Sequence, residues 1–107
     1  MTEVKRPTII LMPIFLARAG LGSALEAELD VLQRNSRGDE GCRSYSVFAD
    51  LTDPDRFVLF EEWESQAHLD AHNKQMHVRR FSDRIAEWLD RPFEVSRLRI
   101  VAKAPED

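Results

Sequence analysis

A chain of 107 residues has room for one domain and one core, not two. Its 32% charged and 43% hydrophobic residues are ordinary for a soluble globular protein. A net charge of -4 with both signs interspersed argues against nucleic acid as the main partner, since phosphate binding needs a basic patch and the runs Arg79-Arg80 and Arg97-Leu98-Arg99 are too short to make one.

The single cysteine, Cys42, excludes an intrachain disulfide and a multi-cysteine metal site, and it reads as a small packing residue rather than a catalytic thiol. The apolar run from Thr8 to Ala17 is roughly half the length needed to cross a bilayer, so no membrane partner is expected. It also lies too near the start, without a small-residue cleavage site, to resemble a signal peptide. The expectation is a cytoplasmic protein with a core over about 8–102 and polar ends at 1–7 and 103–107.

In chain order, Thr8 to Ala17 (TIILMPIFLA) predicts a first strand buried on both faces. Pro13 within it cannot donate to a ladder, which predicts a bulge or a frayed register. Ala19 to Gly22 is the turn out. Ser23-Ala24-Leu25-Glu26 matches a capping box, and Leu21, Leu25, Leu29 and Leu32 recur at helical spacing. That helix should end between Asn35 and Gly38. Cys42 to Asp50 and Arg56 to Glu64 read as two strands joined by a turn at Thr52 to Asp55, a hairpin with a loop longer than two residues.

Ser65 can cap the next helix, whose pattern suggests two segments broken between Asn73 and Gln75. Val78, Phe81, Ile85 and Trp88/Leu89 form its second apolar stripe, and Asp90-Arg91-Pro92 ends it. Phe93 to Ala102 alternates well enough for a final strand. The order β-α-β-β-α-β is the ferredoxin-like α+β arrangement, a four-stranded antiparallel sheet with helices on one face. Val58 and Phe60 lie opposite Leu59 and Trp63, and two helices cannot shield both sets. A homodimer packed sheet to sheet is the economical cover.

Strand alternation places Phe57, Leu59, Glu61 and Trp63 on one side. A glutamate half-buried beside a tryptophan is costly without a partner, and the histidines that follow, His68 and His72 on the next helix with His77 after a short gap, are the nearby candidates. His68 and His72, at i and i+4, share a helix face and form a conceivable metal pair with Glu61 or Glu64. No surrounding motif supports that pair, so no metal and no other cofactor is expected.

The segments Glu40-Gly-Cys-Arg-Ser-Tyr45, Asp53-Pro-Asp-Arg-Phe-Val-Leu-Phe-Glu-Glu-Trp-Glu-Ser65, Leu69-Asp-Ala-His72 and His77 together resemble the antibiotic biosynthesis monooxygenase domain over nearly the whole chain. The resemblance implies a dimeric α+β barrel in which two sheets face each other. It also implies cofactor-independent oxidation of quinols or polycyclic aromatic molecules by O2, although relatives of this fold degrade haem or isomerise small metabolites, and many have no established activity. Three departures stand out. The first turn is Arg18-Ala-Gly-Leu-Gly22 where a Lys-Pro-Gly segment is usual, Asn73 follows His72 where an apolar residue is common, and the first strand lacks the asparagine of haem-degrading relatives.

An oxygenase without flavin or metal must let the substrate itself reduce O2, so the protein supplies a base, a donor for the substrate anion and a dry aromatic pocket. His72, at the family position, is the expected base, with Glu61 to orient it. Trp63, Tyr45, His77 and Phe81 are the expected pocket residues, and Arg43 could bind an anionic group. Two rival readings remain, a non-catalytic module that binds a hydrophobic small molecule, and an isomerase in which His72 moves a proton.

Overall fold

The computed structural model describes residues 8–101. The expected polar ends and Ala102, the last residue of the expected final strand, lie outside them. The elements are β1 (Ile9–Leu16), α1 (Gly22–Ser36), β2 (Cys42–Ala49), β3 (Arg56–Trp63), α2 (Gln66–Asn73), α3 (Met76–Ile85) and β4 (Glu94–Leu98). Sheet order is β2-β3-β1-β4 with every neighbouring pair antiparallel. This is the ferredoxin-like arrangement read from the sequence, with the second helix split at Lys74 and Gln75.

Pro13 does not bulge the sheet. Its residue pairs with Val95 of β4, and the β1–β3 register is the same at Leu11↔Glu61 and Ile14↔Val58, on either side of an unpaired step. The missing N–H interrupts the ladder without shifting it. The bulge falls between Cys42 and Ser44 at the end of edge strand β2, where a twist costs fewer partners.

Leu25, Leu29 and Leu32 of α1 are buried against the sheet, as their spacing predicts. At roughly 1.5–3 kcal/mol for each fully buried leucine, this stripe holds the helix down. The expected capping box does not form, because the helix starts at Gly22, two residues before a Ser23 cap would start it. Leu21 stands at the N-cap without a side-chain bond. Instead Asp55, from the β2–β3 turn, accepts from the Gly22 N–H at 3.0 Å. A Cβ at Gly22 would lie 2.1 Å from the Pro54 carbonyl oxygen, so only glycine allows this approach. The hairpin turn is organised by Asp50, whose carboxylate accepts from Thr52, Asp53 and Arg56.

Two boundaries differ from expectation. The helical stripe stops at Ile85, and Leu89 reaches the core from a turn, through a bridge to Ala17 and an Asp90 N–H bond to the Leu16 carbonyl. β4 ends at Leu98, with exposed backbone beyond it. All three helices lie over the face that carries Leu11, Phe15, Phe57, Leu59 and Trp63. Met12, Ile14, Val58 and Phe60 on the other face are only half-buried, and Phe48 is 55% exposed.

Candidate active site

Glu61 sits in the middle of the helix-covered face, between Tyr45 of β2 and Leu11 of β1. Two residues on, Trp63 points the same way and its indole N–H donates to Glu61 Oε1 at 2.9 Å. Helix α2 brings His72 onto this pair. Ser65 caps α2 by accepting from the His68 N–H, and Leu69 and His72, one turn apart, face inward together. The His72 ring lies over Trp63 at 4.4 Å between centroids, with Tyr45 edge-on at 5.5 Å. Gly41, at φ 82°, makes room for α2, since a Cβ there would lie 2.2 Å from the His68 ring.

A carboxylate that the sequence did not single out completes the cluster. Asp39, in the loop between α1 and β2, places Oδ2 at 2.7 Å from His72 Nδ1 and 2.9 Å from His77 Nε2. A carboxylate only accepts, so both ring nitrogens donate to it. Glu61 was expected to orient His72, but its Oε1 stands 4.0 Å from His72 Nε2, beyond a hydrogen bond, and is engaged by the indole. The orienting contact belongs to Asp39.

Burial sets the proton affinities. It raises the Glu61 pKa, with the indole bond opposing, and lowers that of His72, with Asp39 opposing. His72 is therefore favoured as a neutral imidazole. Burial, and then the Glu61 charge, push the Tyr45 phenol far above its ordinary value, and it stays protonated. The Ser36 hydroxyl beside it pulls the other way without making a well-formed hydrogen bond. Cys42 is likewise raised by burial and then by Asp39, the opposite of an activated thiol.

A cavity of about 520 Å³ opens between the sheet and helices α2 and α3. Tyr45, Glu61 and His72 line it together with Phe15, Phe81 and Phe93, and Gln66, Asp70, Asn73, Ser82 and Arg97 add further polar groups. The Phe15 ring lies 4.7 Å from that of Phe93 and 5.8 Å from that of Phe81. At the rim, Arg97 of β4 donates to Gln66 of α2 at 2.7 Å.

Of the expected site residues, the fold brings Tyr45, Glu61, His72 and Phe81 to this cavity. Trp63 is fully buried behind His72, and is a backing for the imidazole rather than a pocket wall. His77 faces a separate cleft of about 240 Å³ between α1 and α3; Phe81 lines that cleft with it, and of the two only Phe81 also reaches the main cavity. Arg43 is exposed at the β2 bulge, away from both. His68 and His72 do not converge, because His68 Nδ1 is held by Ser65 Oγ at 2.7 Å. Ligand atoms of Asp39, His72 and His77 do lie within 4.8 Å of one another, close enough for a cation, but the two short N–O contacts to one oxygen are already satisfied as hydrogen bonds.

Asp39 was missed because its partners lie 33 and 38 residues away, and no local pattern marks a loop aspartate as one that turns inward. Arg97 was legible in principle, since alternation from Val95 puts both on the cavity face of β4.

The sequence pattern of the antibiotic biosynthesis monooxygenase family matches residues 8–84. The chain belongs to that family. Within it, the chain is 36% identical over 82 residues to "Putative monooxygenase Rv0793" of Mycobacterium tuberculosis, covering 77% of this chain and 80% of that one. It is 34% identical over 55 residues to "Probable quinol monooxygenase YgiN" of Escherichia coli K12, a match spanning 44% of this chain and 53% of YgiN. The crystal structure of PA3566 from Pseudomonas aeruginosa superposes with a TM-score of 0.87 at 29% identity, over 94% of this chain and all (100%) of that one. Relatives bearing monooxygenase names and a shared fold make the cavity the natural place to look for that chemistry. No helix among the described residues is long and apolar enough to cross a membrane.

Proposed function

We propose that the chain is a cofactor-independent monooxygenase that oxidises a quinol-like or polycyclic aromatic molecule with O2. One observation carries this: a buried histidine, His72, lines a cavity that Phe15, Phe81 and Phe93 also line. The flat substrate lies against Phe15, Phe81 and Phe93 and turns its acidic hydroxyl or methylene towards His72 Nε2. The imidazole takes that proton, and the Tyr45 hydroxyl donates to the resulting oxyanion. The electron-rich anion passes one electron to O2, and recombination of the two radicals forms the new C–O bond. The peroxide so formed loses a second substrate proton as its O–O bond breaks, so that one oxygen atom stays on the product and the other leaves as water, with both protons and all four electrons drawn from the substrate.

The bare sheet face belongs to the same reading. A second copy of the chain packs against Met12, Ile14, Val58 and Phe60, and the assembly is a homodimer in which two sheets face each other.

The test is oxygen uptake by metal- and flavin-free protein against a panel of quinols and anthrones. Uptake that falls by about 10²–10⁴-fold in His72→Ala supports the proposal. Saturable binding without uptake would replace it with a binding module, and product formation without uptake would replace it with an isomerase.

A further inference from the structure

The Asp39 contact does more than tie a loop to a helix. Its side chain is 10% exposed, that of His72 is 2% exposed, and the two groups meet at 2.7 Å. If His72 carried its proton on Nε2, two acceptors would face each other at that distance inside the protein. The contact therefore dictates the Nδ1–H tautomer. Nε2 keeps its lone pair, on the side of Glu61 and the cavity, with no protein donor engaging it among the described residues. His77 meets the same Asp39 oxygen from α3 at 2.9 Å and stops the carboxylate from swinging out towards the α1–α3 cleft.

We propose that Asp39 is a positioning residue that holds His72 as a base, and that His77 holds Asp39 in turn. The inference rests on the oxygenase reading only in what the base acts upon. When Nε2 takes a proton from a bound hydroxyl, no proton needs to leave Nδ1. The new imidazolium faces the Asp39 carboxylate, and the proton later goes to the reduced oxygen, which departs as water with a second proton from the substrate. An aspartate in this role is worth several orders of magnitude where it has been removed from other histidine bases. His77, between carboxylate and outer cleft, contributes by fixing geometry rather than by touching substrate.

Nitrogen-15 NMR of histidine-labelled protein tests the tautomer directly, without any substrate. His72 should show a protonated Nδ1 and an unprotonated Nε2 at neutral pH, and the reverse pattern overturns the proposal. The second arm compares Asp39→Asn with His77→Gln, both close in shape to the native residues. Loss of the Asp39 charge should move the His72 titration to lower pH, because the other groups facing its ring, Glu61, Tyr45 and His77, are untouched. It should also cut kcat for oxygen uptake by about 100-fold or more with KM nearly unchanged. His77→Gln keeps an N–H donor and should retain most activity. A folded Asp39→Asn protein with unaltered titration and kcat overturns the proposal. So does one Zn²⁺ bound per chain with loss of the Nδ1 proton, which would make the three residues a metal site. If the native protein oxidises nothing, the oxygenase reading falls, and the tautomer and titration still decide the role of Asp39.

Discussion

The two faces of the sheet are built from similar residue types and have opposite fates. Phe57 and Phe60 sit three positions apart on β3, and alternation sends them to opposite sides. Phe57 is 2% exposed beneath the helices, whereas Phe60 is half-buried on a face that no element among the described residues covers. The covered face also contains the polar cluster of Asp39, Glu61, His72 and His77. Among the described residues the bare face has no such cluster. Its apolar residues have no use in the isolated chain, and that asymmetry is the physical argument for a second copy.

The largest effect should come from the covered face. Phe57→Ala should cost about 3–5 kcal/mol in urea unfolding, through lost transfer energy and the cavity left behind. Phe60→Ala should cost the single chain much less, since its ring never left solvent completely. Equal losses at the two positions in a dilute, monomeric sample would break the comparison.

The next effect is on association. Phe48→Ser with Phe60→Ser should leave the fold intact by circular dichroism and halve the mass seen by light scattering, towards the 12.4 kDa of one chain. A native protein that already scatters as one chain at micromolar concentration removes the sheet-to-sheet dimer.

Much of this was legible in the residues because strand alternation and helical spacing are local rules. They placed Glu61 and Trp63 on one face, split α2 from α3 and put the leucine stripe of α1 in the core. The cap on α1 was misplaced because Asp55 reaches Gly22 across the fold, and a distant acceptor outcompeted the local Ser23. Asp39 stayed hidden for the same reason. A loop carboxylate turned inward is decided by what it meets, and both of its histidines arrive on other elements.

The smallest effects separate two carboxylates by their surroundings, and they work in opposite directions with pH. Asp50, at the open hairpin turn, is held down to about 2 by the Thr52 N–H and hydroxyl and then by Arg56. Its folded value lies below the ordinary 3.8, so its contribution is present above that value and is lost as pH falls towards 2. Asp50→Asn should therefore flatten the acid limb of the stability curve slightly. Glu61 is the reverse case. Burial raises its folded pKa above the ordinary 4.5, so the folded state binds more protons than the unfolded one. Stability then declines as pH rises from 4.5 through the raised value. Glu61→Gln removes the buried charge, while its amide oxygen can still accept from the Trp63 indole. Unfolding midpoints measured from pH 4 to pH 8 should fall in the native protein relative to the variant. Parallel curves would mean that the Glu61 carboxylate is no more costly under the helices than in the unfolded chain, and that the covered face accommodates its charge as readily as water does.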